Sequence, residues 1–424
     1  MMNTTSNQYH HNHYVPVWYQ RKFLRDDQSQ FFYLDKAPET RSQNGRTWVR
    51  NNLLRWGPDN CFAQDDLYTM QWGSIENTDI EQFFFGKIDS AGKMAVEHFE
   101  NFELNEKSNA AFSALLSYMS VQKLRTPKGL GNAREVSRIQ NKSISLLLLQ
   151  RMQNIFCAIW TECIWQIAEA SQSKTKFIIS DHPVTVYNRE CFPESKWCLG
   201  FNDPDIRQVA THTFFPFSLN KVLILTNLAW VRDPYQNPLT LRPNPNFFRN
   251  AIFNFQDIQF DRFLSEEEVV QINYVIKSRA LRYVAAAERE WLFPEKYLTC
   301  DQWRKLGNGY LLMPDPRHVF GGGQTVIGYK DGSSDAYSEY GHRPWQYGYK
   351  DDERERREWQ SLNRFKSEWS AAFGRKYRGL SRHFNGRSRI DEESQDIHEH
   401  HLEKDSEWRK KPGERQRRRK LRQA

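Results

Sequence analysis

The chain lacks several of the marks that would settle its class at once. Its six cysteines, Cys61, Cys157, Cys163, Cys191, Cys198 and Cys300, form no C-x-x-C pair in 424 residues. That spacing excludes a zinc ribbon or finger. No run of about 20 apolar residues occurs, so an ordinary transmembrane helix is excluded. The most apolar stretch, residues 144–149, is closed by Gln150 and Arg151. The first 13 residues are polar and histidine-rich and contain no apolar core, so they do not read as a signal peptide. Reduced thiols in a cytoplasmic or nuclear, non-secreted protein that does not enter the membrane are the expectation.

A uniformly basic surface is also missing. The formal net charge is +8, from 60 Lys and Arg against 52 Asp and Glu. From Arg409 to Arg422 there are nine basic residues and one acid, which accounts for the whole surplus. The remainder is charge-balanced, so a uniformly basic nucleic-acid-binding body is not expected, which leaves the tail or a local patch in the body for any such contact. Arg417-Arg418-Arg419-Lys420 also reads as an address for an import receptor.

What the chain has in quantity is aromatic side chains: 14 Trp, 18 Tyr and 28 Phe. With a mean hydropathy of -0.80, a packed aromatic interior explains them more simply than a base-stacking surface. Pro16 fits the start of a short helix, and residues 30–34 read as a strand. Residues 51–70 read as irregular. Thr78 and Glu81 have the capping-box spacing for a helix reaching about Glu100. Ser108 begins another helix, whose stripe of Phe112, Leu115, Leu116 and Met119 ends before Pro127. Residues 133–170 read as helical with at most one break. Residues 177–180, 184–187, 211–217 and 222–226 read as strands, and Ser265 opens a capped helix toward Trp291. Helices, then clustered strands, then a helix predict an α+β fold: a helix-rich single domain with a small mixed or antiparallel sheet. The expected organisation is a flexible arm over residues 1–10 and one domain over 11–330. A charged extension, disordered or a single helix, then occupies 331–424.

Chemistry is sought where polar residues interrupt apolar patterns. His13 stands beside a helix N-terminus fixed by Pro16, a place suited to an anion. Gln122 continues the buried stripe of its helix and Arg125 lies one turn further, so both need partners. Ser180-Asp181-His182-Pro183 cannot be a catalytic triad, because adjacent residues in an extended segment point to opposite sides. Asp181 or His182 could enter a site completed by His13, His212 or Arg125; alternatively Asp181 caps the turn. Glu81 is most simply a capping partner. His10 and His11, and the tail residues His398, His400 and His401, read as solvated polar tracts. Gly321-Gly322-Gly323 follows no strand and reads as a turn rather than a phosphate loop.

Taken together, His13-Tyr14-Val15-Pro16, Asp66-Leu67-Tyr68, Gln122 with Arg125-Thr126-Pro127, Ser180-Asp181-His182-Pro183 and Phe215-Pro216-Phe217-Ser218 resemble the domain of unknown function 4238 family over about residues 11–285. Trp230-Val231-Arg232-Asp233-Pro234 and Leu312-Met313-Pro314-Asp315-Pro316-Arg317 resemble its longer fungal versions. The family brings no activity; the resemblance implies that the polar motifs belong together. The expected site is a hydrolase-like or phosphate-recognising pocket, with His13, Asp181 and His182 as candidate catalytic residues. Gln122 and Arg125 would hold an anionic ligand. The competing expectation is an adaptor or nucleic-acid-associated protein acting through its basic tail. Neither expectation fixes a metal or cofactor.

Overall fold

A computed structural model describes residues 10–44, 46–199, 203–242, 253–321, 324–328, 331–338 and 342–381. The basic run from Arg409 to Arg422, His398, His400 and His401, and residues 1–9 of the expected arm lie outside these residues.

Two sheets organise an α+β body. Nine strands build them: β1 (Phe31–Asp35), β2 (Leu53–Trp56), β3 (Cys163–Glu169), β4 (Ile179–Ser180), β5 (Thr185–Tyr187), β6 (His212–Pro216), β7 (Lys221–Asn227), β8 (Gln259–Phe263) and β9 (Tyr283–Ala286). The smaller sheet, in the order β4-β9-β1-β2, is antiparallel. The larger, in the order β5-β6-β7-β3-β8, is mixed: β8 runs parallel to β3 and the other pairs are antiparallel. Central β7 carries Val222-Leu223-Ile224-Leu225, all fully buried, as a strand covered on both faces must. The segment from Ser180 to Pro183 passes from one sheet to the other, leaving β4 and entering β5.

The principal helices are α1 (Gly86–Glu100), α2 (Ser108–Arg125), α3 (Pro127–Ser137), α4 (Lys142–Arg151), α5 (Glu266–Arg279) and α6 (Asp352–Phe373). Among the described residues no helix is long and apolar enough to cross a membrane. The capping box at Ser265 forms in full, with Glu268 bonding back to the Ser265 amide. Much of the aromatic load is interior: Trp160, Trp165, Tyr19, Tyr68, Tyr118, Phe23 and Phe31 are among the largest fully buried side chains, while others such as Trp48, Trp72 and Trp345 are exposed. Tyr19 stacks on Phe215 with ring centroids 5.1 Å apart.

Four local expectations are corrected. The helical stretch to residue 170 is broken twice, after Ser137 and after Arg151, and ends at Thr161; the buried run Trp165-Gln166-Ile167-Ala168 belongs to strand β3, paired with β7 along its length. A short apolar run has no periodicity of its own, and its partner decides its state. The helix opened by Ser265 stops at Arg279 rather than near Trp291, because β9 is drawn into the smaller sheet. Residues 51–70 hold two strands, β2 and Ala63–Asp65, the second pairing with His11–His13. Thr78 and Glu81 form no capping box: residues Ile80–Phe85 are a π-helical lead into α1 with no side-chain cap.

Beyond the sheets, α6 lays Leu362, Phe365 and Trp369 against Trp230 and Val231 in a second apolar cluster.

Candidate functional site

The last turn of α2 is polar yet buried. Gln122, Lys123 and Arg125 are all less than a tenth exposed. Arg125-Thr126-Pro127-Lys128-Gly129 makes the corner into α3: Pro127 takes the first helical position, and the Thr126 hydroxyl accepts the Gly129 amide at 3.1 Å. A Cβ on Gly129 would run into the Lys123 carbonyl, so this corner requires glycine. The two helix ends therefore press their cations into the core.

Arg125 forms a two-pronged pair with Asp89 of α1, at 2.9 and 2.8 Å. It also donates to Gln122 Oε1, while Gln122 Nε2 donates to the Tyr14 carbonyl at 2.7 Å. This chain joins the α2 motif to the segment after His13. The His13 ring itself turns elsewhere, its Nε2 donating to the Asp59 carbonyl at 3.1 Å, and partial burial lowers its pKa. Asp89 was not anticipated, although it falls on the line of the buried Gly92, Val96 and Phe99, where an acid demands a partner.

Asp181 accepts three backbone amides, from Leu281 at 2.9 Å, Arg282 at 2.6 Å and Tyr283 at 2.8 Å. It turns the chain from α5 into β9. Burial pushes its carboxyl upward while these amides pull the other way. His182 faces a different set. Its Nδ1 lies 2.8 Å from Thr126 Oγ1 and its Nε2 lies 3.1 Å from Lys123 Nζ. An ammonium only donates, so Nε2 is the acceptor and Nδ1 carries the proton. Burial, with the Lys123 charge beside it, pushes the imidazole down to about 3, which keeps it neutral. Asp203 completes this centre, accepting from Lys123 at 2.9 Å and Lys128 at 2.5 Å. Lone acids and lysines in loops and helix ends gave no sequence signal for that cluster.

The motifs thus join in two ways. Gln122 and Arg125 share one network, and His182 meets Thr126 of the neighbouring motif. Asp181 and the His13 ring bond apart from both.

Glu81 is neither cap nor ion pair. Its Oε2 is buried with no hydrogen-bond partner among the described residues, and burial pushes its carboxyl up to about 7 against the pull of Arg125, with Asp89 adding to the rise. The folded state therefore holds this proton more tightly than the unfolded chain. Stability is expected to fall as pH rises from about 4.5 to about 7, by at most about 3 kcal/mol, and to be level above. Glu81→Gln should remove that slope in urea titrations run across the range; an unchanged slope would assign it to other groups.

One recess brings together groups that remain open. It is a shallow, solvent-open depression with room inside for about one water, about 10 Å³, and is lined by Tyr187, Arg189, Ala210, His212, Trp230 and three leucines, Leu306, Leu311 and Leu312. The Thr226 hydroxyl donates to the Leu312 carbonyl at 2.9 Å, so it must accept from His212 Nδ1, 3.0 Å away. That leaves His212 Nε2 with its lone pair for the recess, and burial pushes this imidazole down to about 3, so it too is neutral. Among the described residues Arg189 reaches only Glu190, at 3.8 Å, as a charged partner, its Nε has no hydrogen bond, and its guanidinium lies 5.3 Å from the Trp230 ring centre. The sequence offered His212 as completing a site with Asp181 or His182; here it lines a recess without either, alongside Arg189 and Tyr187, which nothing in their sequence surroundings marks.

Among the described residues no three His, Cys, Asp or Glu side chains converge so as to hold a metal ion. The family described as Protein of unknown function (DUF4238) matches residues 11–290. No curated protein and no solved structure matches the chain.

Proposed function

The chain belongs to the DUF4238 family, and from that premise we propose that it recognises a small anionic group of the phosphate class at the open mouth of the recess that Trp230 helps to line. The observation that carries this reading is the presence, in the lining of one recess, of the Arg189 guanidinium and an imidazole nitrogen that can only accept. A guanidinium suits the anionic oxygens. A neutral His212 Nε2 needs a proton to receive, and a protonated phosphate oxygen supplies one. An imidazole held near 3 is a weak base at neutral pH, which favours recognition over hydrolysis. His182, equally neutral and with both nitrogens engaged, serves the same reading as a fixed support. Asp181, Gln122 and Arg125 act by position in this proposal: they fix the corner of α2 and the passage into β5, whose Tyr187 lines the recess. His13 holds the edge of the body against the loop at Asp59.

Sulfate provides the test, because it matches phosphate in size and charge but carries no proton at neutral pH. Titration calorimetry with inorganic phosphate and with sulfate should show phosphate binding at least about tenfold tighter, the cost of leaving the lone pair opposed to an oxygen. His212→Phe should erase the difference, and Arg189→Ala should weaken phosphate by about tenfold or more. Equal affinity for the two anions, or no binding of either, would overturn the proposal.

A further inference from the structure

Two of the six cysteines, Cys191 and Cys198, meet in one tight loop. Successive turns, with the Ser195 amide on the Phe192 carbonyl and the Cys198 amide on the Ser195 carbonyl, bring the chain back on itself. The Cys198 sulfur lies 3.9 Å from the Cys191 carbonyl oxygen and 3.6 Å from Ser195 Oγ. The Cys191 thiol is held up at about 12, first by burial and next by the neighbouring Cys198. Arg279, at the end of α5, bridges the pair. Its guanidinium donates to the Cys198 sulfur at 3.4 Å and to the Cys191 carbonyl. Cys198 is also half-buried rather than enclosed, whereas Cys61, Cys157 and Cys163 are shut into the core.

We infer that Cys198 and Cys191 form a peroxide-oxidisable dithiol, with Cys198 as the attacking sulfur and Cys191 as the resolving one. Cationic surroundings, solvent access and a second thiol within reach are what reversible thiol oxidation requires. In the first step the Cys198 sulfur attacks one oxygen of hydrogen peroxide and the O–O bond breaks. The departing hydroxide takes the thiol proton as water, leaving a sulfenic acid on Cys198. In the second, the Cys191 sulfur attacks the Cys198 sulfur and the S–O bond breaks. The hydroxide leaves with the Cys191 proton as a second water. Two electrons pass from the dithiol to the peroxide, and a disulfide closes the loop.

The position gives the bond something to act on. Cys198–Leu199 pairs with Asp203–Pro204, so the loop carries Asp203 into the lysine centre. The Arg279 carbonyl accepts from Lys128 at 2.7 Å, which ties the guanidinium end of α5 to the same centre.

The protein contains its own control in Cys300, another half-buried thiol. Reaction with stoichiometric hydrogen peroxide, blocking with N-ethylmaleimide and peptide mass spectrometry should give a Cys191–Cys198 linked peptide lighter by about 2 Da, the two hydrogens removed. Cys198 should oxidise at least about tenfold faster than Cys300. In Cys191→Ser, oxidation should stop at a sulfenic acid on Cys198 that dimedone traps. Should that variant fail to fold, the wild-type peptide map decides alone. Cys198 reacting no faster than Cys300, or oxidising without linkage to Cys191, would overturn the inference.

Discussion

A chain ending at Leu298 is expected not to reach a stable native state, although the family match ends at residue 290. The reason lies in what the removed segment covers. Arg262 is fully buried and donates to the carbonyls of Leu311 at 2.7 Å and Met313 at 2.9 Å. Gln259 exchanges two hydrogen bonds with the Asp315 backbone. Trp230 and Val231 are covered by Leu362, Phe365 and Trp369. Truncation leaves a buried guanidinium without two of its acceptors and opens an apolar face, a combined cost of at least about 5 kcal/mol. That equals the lower end of the net stability of an ordinary domain, about 5–15 kcal/mol. The truncated chain should aggregate or lose its near-ultraviolet circular dichroism. A monodisperse 1–298 fragment unfolding in urea within about 1 kcal/mol of the full chain would refute the prediction. The same segment supplies Leu306, Leu311 and Leu312 to the recess and fixes the His212 tautomer through the Leu312 carbonyl, so recess and extension should be lost together.

Asp203→Ala is expected to cost about 3–5 kcal/mol at pH 7, because it leaves two buried ammonium groups with no carboxylate between them. Burial alone would raise the Asp203 carboxyl, but Lys123 and Lys128 outweigh it and hold the group well below the usual carboxylate range. The sign follows from that depression. The stabilisation is fully present above the unfolded pKa, near 3.8, and is lost as pH falls through the folded value. The gap between wild type and variant should therefore be wide at pH 7 and narrow in strong acid. Replacing Lys128 by Met as well should recover part of the loss, a coupling that a double-mutant cycle measures. An Asp203→Ala protein within about 1 kcal/mol of wild type at pH 7 would show that the centre is solvated and its charges independent.

Much of the frame is readable from local pattern. The α2 stripe of Phe112, Leu115, Leu116 and Met119 is buried as its spacing requires, and the corner at Pro127 falls where proline and Thr126 place it. Ser265 caps α5 by the reciprocal bonds its sequence promises. The failures share one cause. Cys163–Glu169 became a strand because β7 lies beside it, and β9 replaced the end of a helix because the smaller sheet and the Asp181 carboxylate claimed its amides. Thr78 and Glu81 have the spacing of a cap, but the π-helical turn swings Glu81 inward toward Arg125.

By itself the sequence determined the α+β class, the ends of the better-patterned helices and the polar residues that could not remain unpartnered inside. These follow from periodicity, backbone stereochemistry and the cost of burying an unpaired polar group, all of which act over a few residues. Only the tertiary structure decided the partners. It gave Arg125 to Asp89, Asp181 to three amides and Lys123 with Lys128 to Asp203, and it left His212 and Arg189 facing one recess. Residues tens or hundreds of positions apart meet there, and no local pattern encodes which of several buried acids a given cation will find.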